Sequence, residues 1–271
     1  MRTSQRHRLR LVLIVLAGAS LLLVAAFRFE TARKISPAIG NPSSSRISRL
    51  PATILWAWER PEQLNFIDPQ KVGVAFLAKT IYLSGDQINV RPRLQPLSMP
   101  EGTAVIAVAR IESLPSASPA LSAQQLKDTA AQIAELGKLP NVVMVQVDFD
   151  ATLSQRSFYR DLLTNLRATL PSSTLLSMTA LASWCKGDNW LDDLPVDEAV
   201  PMLFRMGVEQ NQFRAQLAGG AGFRARPCQA SAGVSTDEPL TELQPVQRLY
   251  AFNPEPWSAT SFNHLMETYP R

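Results

Sequence analysis

From residue 52 onward the chain alternates short apolar runs with stretches of helical spacing, and nothing else in the sequence constrains the fold as strongly. The runs are ATILWAW (52–58), KVGVAFLA (71–78), TAVIAVARIE (103–112), NVVMVQVDFD (141–150), TLLSMTALASW (174–184), EAVPMLFRM (198–206), QASAGVS (229–235) and RLYAFN (248–253). Each is short and bounded by Pro, Gly or Asp, as strands are. Between them, AQQLKDTAAQIAELGKL (123–139) sets Leu126, Ala130, Ile133 and Leu136 three and four residues apart. SQRSFYRDLLTNLRATL (154–170) does the same with Phe158, Leu162, Leu166 and Leu170, with Ser154 as its expected N-cap. VEQNQFRAQLAGG (208–220) is a third such segment, closed by glycines. Repeated strand–helix–strand order implies parallel strands joined by crossovers. Eight strands in the space available predict a compact (β/α)8, TIM-like barrel of class α/β. INVRPRLQPL (88–97) reads as a short edge strand, and the second crossover lacks a helical pattern, so the expected barrel is irregular. No Gly-rich phosphate loop follows any strand, which disfavours an open nucleotide-binding sheet.

The N-terminus has a different character. MRTSQRHRLR (1–10) is a basic flank, and LVLIVLAGASLLLVAAF (11–27) is uncharged over 17 residues. This reads as a signal anchor or a cleaved signal peptide, with the basic end in the cytoplasm. Residues 28–50, with PAIGNPSSSR inside, form a Pro/Ser-rich linker, leaving 51–271 as the barrel domain. The expected location is the bacterial inner membrane facing the periplasm, or the periplasm itself if the signal is removed. Of 27 Lys/Arg and 23 Asp/Glu, residues 1–34 hold seven and one, so the remaining chain carries 20 and 22. The basicity therefore belongs to the N-terminal segment, and the body has no compositional support for nucleic-acid binding. The two cysteines, Cys185 and Cys228, have neither CxxC nor zinc spacing; they pair in an oxidising compartment or stay as buried thiols.

Strand side chains alternate, so residues two apart share a face. In the fourth run Val143, Val145, Val147 and Phe149 suit packing against helices, which turns Met144, Gln146, Asp148 and Asp150 into the barrel or its mouth. The third run aligns Val108, Arg110 and Glu112, and the sixth aligns Pro201, Leu203 and Arg205. The first is expected to turn Leu55, Ala57 and Glu59 inward, with Trp56 and Trp58 opposite. Charged residues thus gather at the C-terminal strand ends, the active face of barrel enzymes. A purely structural alternative pairs Asp148 with Arg110 and Asp150 with Arg205, but buried ion pairs seldom add net stability. Trp58, Trp184, Trp190 and Trp257 stand at or just past strand ends, where indole faces stack on sugar rings and neighbouring acids bond to hydroxyls.

His264 is the only histidine after the apolar segment, and it falls in a C-terminal helical stretch. A Ser-His-Asp triad or a His-based metal site is therefore not expected. Arg110 beside Asp148, Asp150 and Glu112 disfavours an oxygen-only cation site. No cofactor and no metal are expected.

VQVDFD followed by FY, SMTALASWC, DEAVPMLFRMG and YAFNPEPW together resemble a bacterial family of uncharacterised proteins, domain of unknown function 3142, over residues 52–258. That resemblance implies a barrel related to glycoside hydrolases and carries no established activity. More loosely, the fourth strand is similar to that of family 18 chitinase-like barrels, where alternating carboxylates end in a proton-donating Glu. Here Thr152 stands where that Glu would be.

Two functions follow as expectations. One is hydrolysis of an envelope glycan by Asp148, Asp150 and Glu112, with Glu59, Trp58, Arg110, Gln146, Trp184, Arg205 and Trp257 holding the carbohydrate or another small polar ligand. Glu59 and Glu255 are alternative partners for the carboxylate pair that glycoside cleavage needs. The other is a catalytically inactive sugar-binding or scaffold domain that lost its acid.

Overall fold

The computed structural model describes residues 46–270 apart from 115–116, 188, 208–209, 221, 241–242 and 244. The basic flank 1–10, the apolar segment 11–27 and most of the linker 28–50 lie outside the described residues. Among the described residues no helix is long and apolar enough to cross a membrane.

The strands are β1 (Thr53–Ala57), β2 (Glu62–Gln63), β3 (Val72–Ser84), β4 (Gln87–Pro92), β5 (Leu97–Ser98), β6 (Val105–Ser113), β7 (Val142–Phe149), β8 (Leu175–Leu181), β9 (Glu198–Met202), β10 (Ser231–Ser235) and β11 (Arg248–Phe252). The helices are α1 (Ala123–Ala134), α2 (Arg156–Thr169), α3 (Ala182–Gly187), α4 (Gln210–Ala218) and α5 (Ala259–Thr268). Eight strands run parallel in the order β1-β3-β6-β7-β8-β9-β10-β11, and β11 pairs with β1 to close the barrel. They are the eight apolar runs of the sequence. The molecule is a TIM-like barrel, and an irregular one. β4 folds back antiparallel on the outer half of β3 and takes up its edge where β1 stops, while β2 and β5 pair as a separate two-stranded sheet.

Several boundaries differ from expectation. Leu181 and Met202 are the last register partners of β8 and β9. With no ladder beyond them, residues 182–187 coil into α3 instead of extending the strand, and the sixth run ends at Met202 rather than 206. The second helical segment starts at Arg156, because a 3-10 turn over Leu153–Gln155 precedes it. Gln155 Oε1 accepts from the Thr152 N–H at 2.9 Å, so Thr152 rather than Ser154 opens that segment.

Two apolar layers flank the barrel wall. Inside lie Ile54, Trp56, Leu77, Ile106, Val108, Met144, Val200 and Tyr250. Outside, Val145, Val147 and Phe149 pack with Ile133 of α1 and Phe158, Leu162 and Leu166 of α2. The inward face of β7 is therefore the one that alternation predicts. For β1 the structure reverses the expectation: Trp56 points into the barrel, whereas Leu55 and Ala57 join the outer layer with Trp257 and Leu265. Every residue of β1 is buried, because wall strands are covered on both faces, so its pattern held no polar mark of the inner side. Gly233 of β10 makes room for that indole; a Cβ there would stand 2.8 Å from the Trp56 ring. β9 is also displaced by one residue from expectation, with Val200 inward and Leu203 in an outer cluster.

The N-terminal end of the barrel is closed by a buried ion pair. Arg248 Nη1 lies 2.8 Å from Glu198 Oε2, with side chains 3% and 0% exposed. Ser231 and Tyr250 donate their hydroxyls to the same carboxylate, and Arg248 also donates to the carbonyls of Ile47 and Pro51. Each charge is met by several hydrogen bonds, the condition under which a buried pair is tolerated.

Candidate functional site

The opposite end of the barrel opens into a cavity of about 370 Å3. Its floor and one wall come from β7 and its neighbours. Register places Arg110 of β6 directly beside Asp148 of β7. Gln146 pairs with Ser177 across β7 and β8, so Thr179, two residues on, falls next to Asp148 on the same inward face. The Thr179 hydroxyl donates to Asp148 Oδ1 at 2.7 Å, and Arg110 Nη1 stands 3.7 Å from Asp148 Oδ2.

These contacts leave Asp148 in an unusual state. It is 6% exposed. Burial pushes its carboxyl up to about 6, aided by the Asp150 charge, while Arg110 and Thr179 pull it back only in part. Asp150 lies one residue past the strand, exposed at the mouth, yet the surrounding protein still raises its carboxyl, with Arg110 opposing. For Arg110, burial works against the charge, but Asp148 and Glu112 outweigh it, so the guanidinium is held more firmly protonated.

The other walls are aromatic. Trp58 meets Phe252 edge-on at 6.4 Å, Phe252 stacks on Phe204 at 5.8 Å, and Phe204 meets Trp56 at 6.3 Å. Arg110 sits over the Trp58 ring at 5.8 Å and Arg205 over the Phe252 ring at 5.2 Å. Arg205 holds a left-handed backbone conformation (φ 52°), and its N–H donates to Glu238 Oε2 at 3.0 Å. That turn brings its side chain to the rim.

Of the residues expected at the site, Asp148, Asp150, Arg110, Trp58 and Arg205 line this one cavity. Others do not reach it. Glu112 turns to Arg110, whose Nε lies 2.7 Å away. Glu59 is bound by Arg91 of β4 and accepts from Thr80 at 3.4 Å, beside a separate recess of about 130 Å3. Gln146 is fully buried below Asp148, where it accepts from Trp56 Nε1 at 2.9 Å and donates to Ser177 at 3.1 Å. Trp184 packs against Trp190 at 4.9 Å in the outer layer, because the chain has already turned into α3. Trp257 is likewise in the outer layer, with Nε1 donating to the Trp56 carbonyl at 3.0 Å. Nor does Asp150 pair with Arg205, which instead faces Asp237 at 3.6 Å and Glu238 at 4.0 Å.

Sequence reasoning missed Thr179, Phe204, Phe252 and Met202. Thr179 and Phe252 lie two residues beyond Ser177 and Tyr250, whose inward side the structure shows. Phe204 was lost with the one-residue error on β9. Cys185 and Cys228 form a disulfide with Cα atoms 5.8 Å apart. Arg224 and Ala225 N–H groups donate to the Cys185 carbonyl at 3.0 and 3.1 Å, which docks the segment before Cys228 on α3. No metal-holding group of His, Cys, Asp or Glu occurs among the described residues.

No family model matches the sequence and no curated protein matches it, so the likeness to domain of unknown function 3142 stands as a resemblance. Among solved structures, the chain is similar to the Bacillus cereus spore cortex-lytic enzyme SleL, with TM-score 0.48 and 14% identity over 69% of this chain and 52% of that one. A chitinase from Rhizomucor miehei gives TM-score 0.44 and 12% identity over 68% and 69%. The chitinase domain of the spore coat protein CotE from Clostridium difficile gives TM-score 0.37 and 14% identity over 56% and 49%. The chain spans about half the length of the first of these.

Proposed function

We propose that the cavity at the C-terminal mouth binds a carbohydrate and that Asp148 and Asp150 perform acid–base work on it, so that the protein hydrolyses a glycan. The observation that carries this reading is Asp148, a buried carboxyl raised to about 6 beside a second carboxyl in a cavity walled by aromatic rings. Such a group holds or releases a proton near neutral pH, as cleavage of a glycosidic bond requires. The rings supply apolar faces for sugar C–H groups, and Asp150 and Ser183 supply polar atoms for hydroxyls. A panel of polysaccharides scored for both binding and reducing-end release tests the reading; release that survives both Asp148→Asn and Asp150→Asn contradicts it.

A silent sugar binder is the second reading. It is favoured by Thr152, which opens the 3-10 turn after β7 where chitinase-like barrels have a proton-donating Glu, and by Glu112, which is held by Arg110. Binding without release by the wild-type protein selects it.

On this reading the barrel lies outside the cytoplasm, anchored or released through residues 11–27. The Cys185–Cys228 disulfide supports an oxidising compartment. A reporter active only outside the cytoplasm, fused after Arg49, tests this; activity confined to a cytoplasmic reporter contradicts it.

A further inference from the structure

We propose that the sugar unit held against Asp150 carries a free, protonated amine, so that the site selects a de-N-acetylated hexosamine over acidic and fully acetylated units. This rests on the carbohydrate reading above and narrows it to a substrate class.

The inference comes from which charges at the mouth are already met. Two arginines line the cavity, and both are engaged before any ligand arrives. Arg110 has Glu112 at 2.7 Å and Asp148 at 3.7 Å, with the Trp58 ring beneath it. Arg205 has Asp237 at 3.6 Å and Glu238 at 4.0 Å, with the Phe252 ring beneath it. Glu238 is shared with Arg214 at 3.9 Å. A ligand carboxylate or sulfate would therefore find no unclaimed guanidinium on the wall and would face Asp148 and Asp150. Acidic sugars are disfavoured by like-charge contact.

Asp150 differs from every other charge there. Among the described residues no hydrogen bond or ion pair reaches its carboxylate, and Arg110 acts on it only as a nearby field. It is exposed, points its charge at the mouth, and stands beside Asp148. Among the residues that line the cavity Asp148 and Asp150 match Arg110 and Arg205 in number, but acids outside the lining already hold both arginines, so Asp150 is the charge left for a ligand. An ammonium group is compact, donates three hydrogen bonds and accepts none, which matches a carboxylate lacking a donor. N-acetylation removes both the charge and two of those donors. Burial is the main cause that raises the Asp148 and Asp150 carboxyls, and an ammonium bound beside them would offset it.

The test uses the full chain and two soluble probes of equal length and linkage, a glucosamine oligomer and its N-acetylated counterpart, with a galacturonate oligomer as the acidic probe. Binding is measured by calorimetry at neutral pH and low salt. The amine oligomer is expected to bind tighter than the other two by about tenfold or more. That preference disappears in Asp150→Asn and persists in Glu267→Gln, which removes an exposed acid of α5 outside the cavity. Equal or tighter binding of the acetylated or acidic oligomer overturns the inference and leaves the carbohydrate reading standing. So does a preference that survives Asp150→Asn. If none of the three binds and no neutral polysaccharide binds either, the carbohydrate reading and the inference fall together.

Discussion

The two ends of this barrel each hold acids and arginines, but they use them in opposite ways. At the N-terminal end Glu198 and Arg248 meet at 2.8 Å, both essentially without solvent, and two hydroxyls and two carbonyls complete their hydrogen bonding. At the C-terminal end Asp148 and Arg110 stand 3.7 Å apart, with Asp148 bonded to one hydroxyl and Arg110 36% exposed. The first cluster is saturated and shut. The second is under-bonded and opens on a cavity. A charge cluster that exists to close a barrel satisfies its own members; one that exists to handle a ligand leaves bonding capacity for it.

The largest effect that sharpens this contrast is expected at the closed end. Glu198→Gln keeps the shape but strands Arg248 in the interior, and loss of one partner of such a pair costs about 3–5 kcal/mol. Chemical denaturation at neutral pH checks this, and a change below about 1 kcal/mol would show that the plug is not what holds the N-terminal end. Tyr250, whose phenol is pushed well up by burial and by Glu198, remains a donor to the carboxylate throughout the ordinary pH range.

A smaller effect separates the mouth from the rest. The disulfide closes a separation of 43 residues, for which chain entropy gives about 4 kcal/mol as an upper figure, with about 2–4 usual. Because Cys185 lies in α3 with Ala182 and Ser183 of the cavity wall, reduction is expected to lower Tm and weaken ligand binding together. Two titratable thiols in the non-reduced, denatured protein would remove this tether from the account.

The fold was more legible than the site. All eight barrel strands are apolar runs cut by Pro, Gly or Asp, and β7 revealed its inward face because Gln146 and Asp148 interrupt an otherwise aliphatic pattern. β1 revealed nothing of the kind, since both of its faces are apolar and buried. Parity therefore failed there and sent Trp56 outward. Glu198 and Arg248 carry no mark in the sequence, because their pairing spans 50 residues and depends on barrel closure, which no local pattern encodes. Trp184 and Trp257 were drawn to the mouth by their position near strand ends. Only the turn into α3, and the packing of Trp257 under Leu55 and Ala57, take them away from it.

The most direct test of the central claim is the stability of Asp148→Asn across pH, with glycan response measured on the same samples. The folded carboxyl, raised from 3.8 to about 6, holds its proton more tightly than the unfolded chain does. The stability it contributes is therefore full below about pH 3.8 and is lost as pH rises through about 6. A shift of about two units corresponds to about 3 kcal/mol. Asp148→Asn should then be as stable as wild type at pH 4 and more stable at pH 7, by up to about 3 kcal/mol, while glycan release or binding falls by about 100-fold. Destabilisation of about 3–5 kcal/mol at pH 7 with unchanged glycan response would instead make Asp148 and Arg110 a structural pair like the one at the closed end.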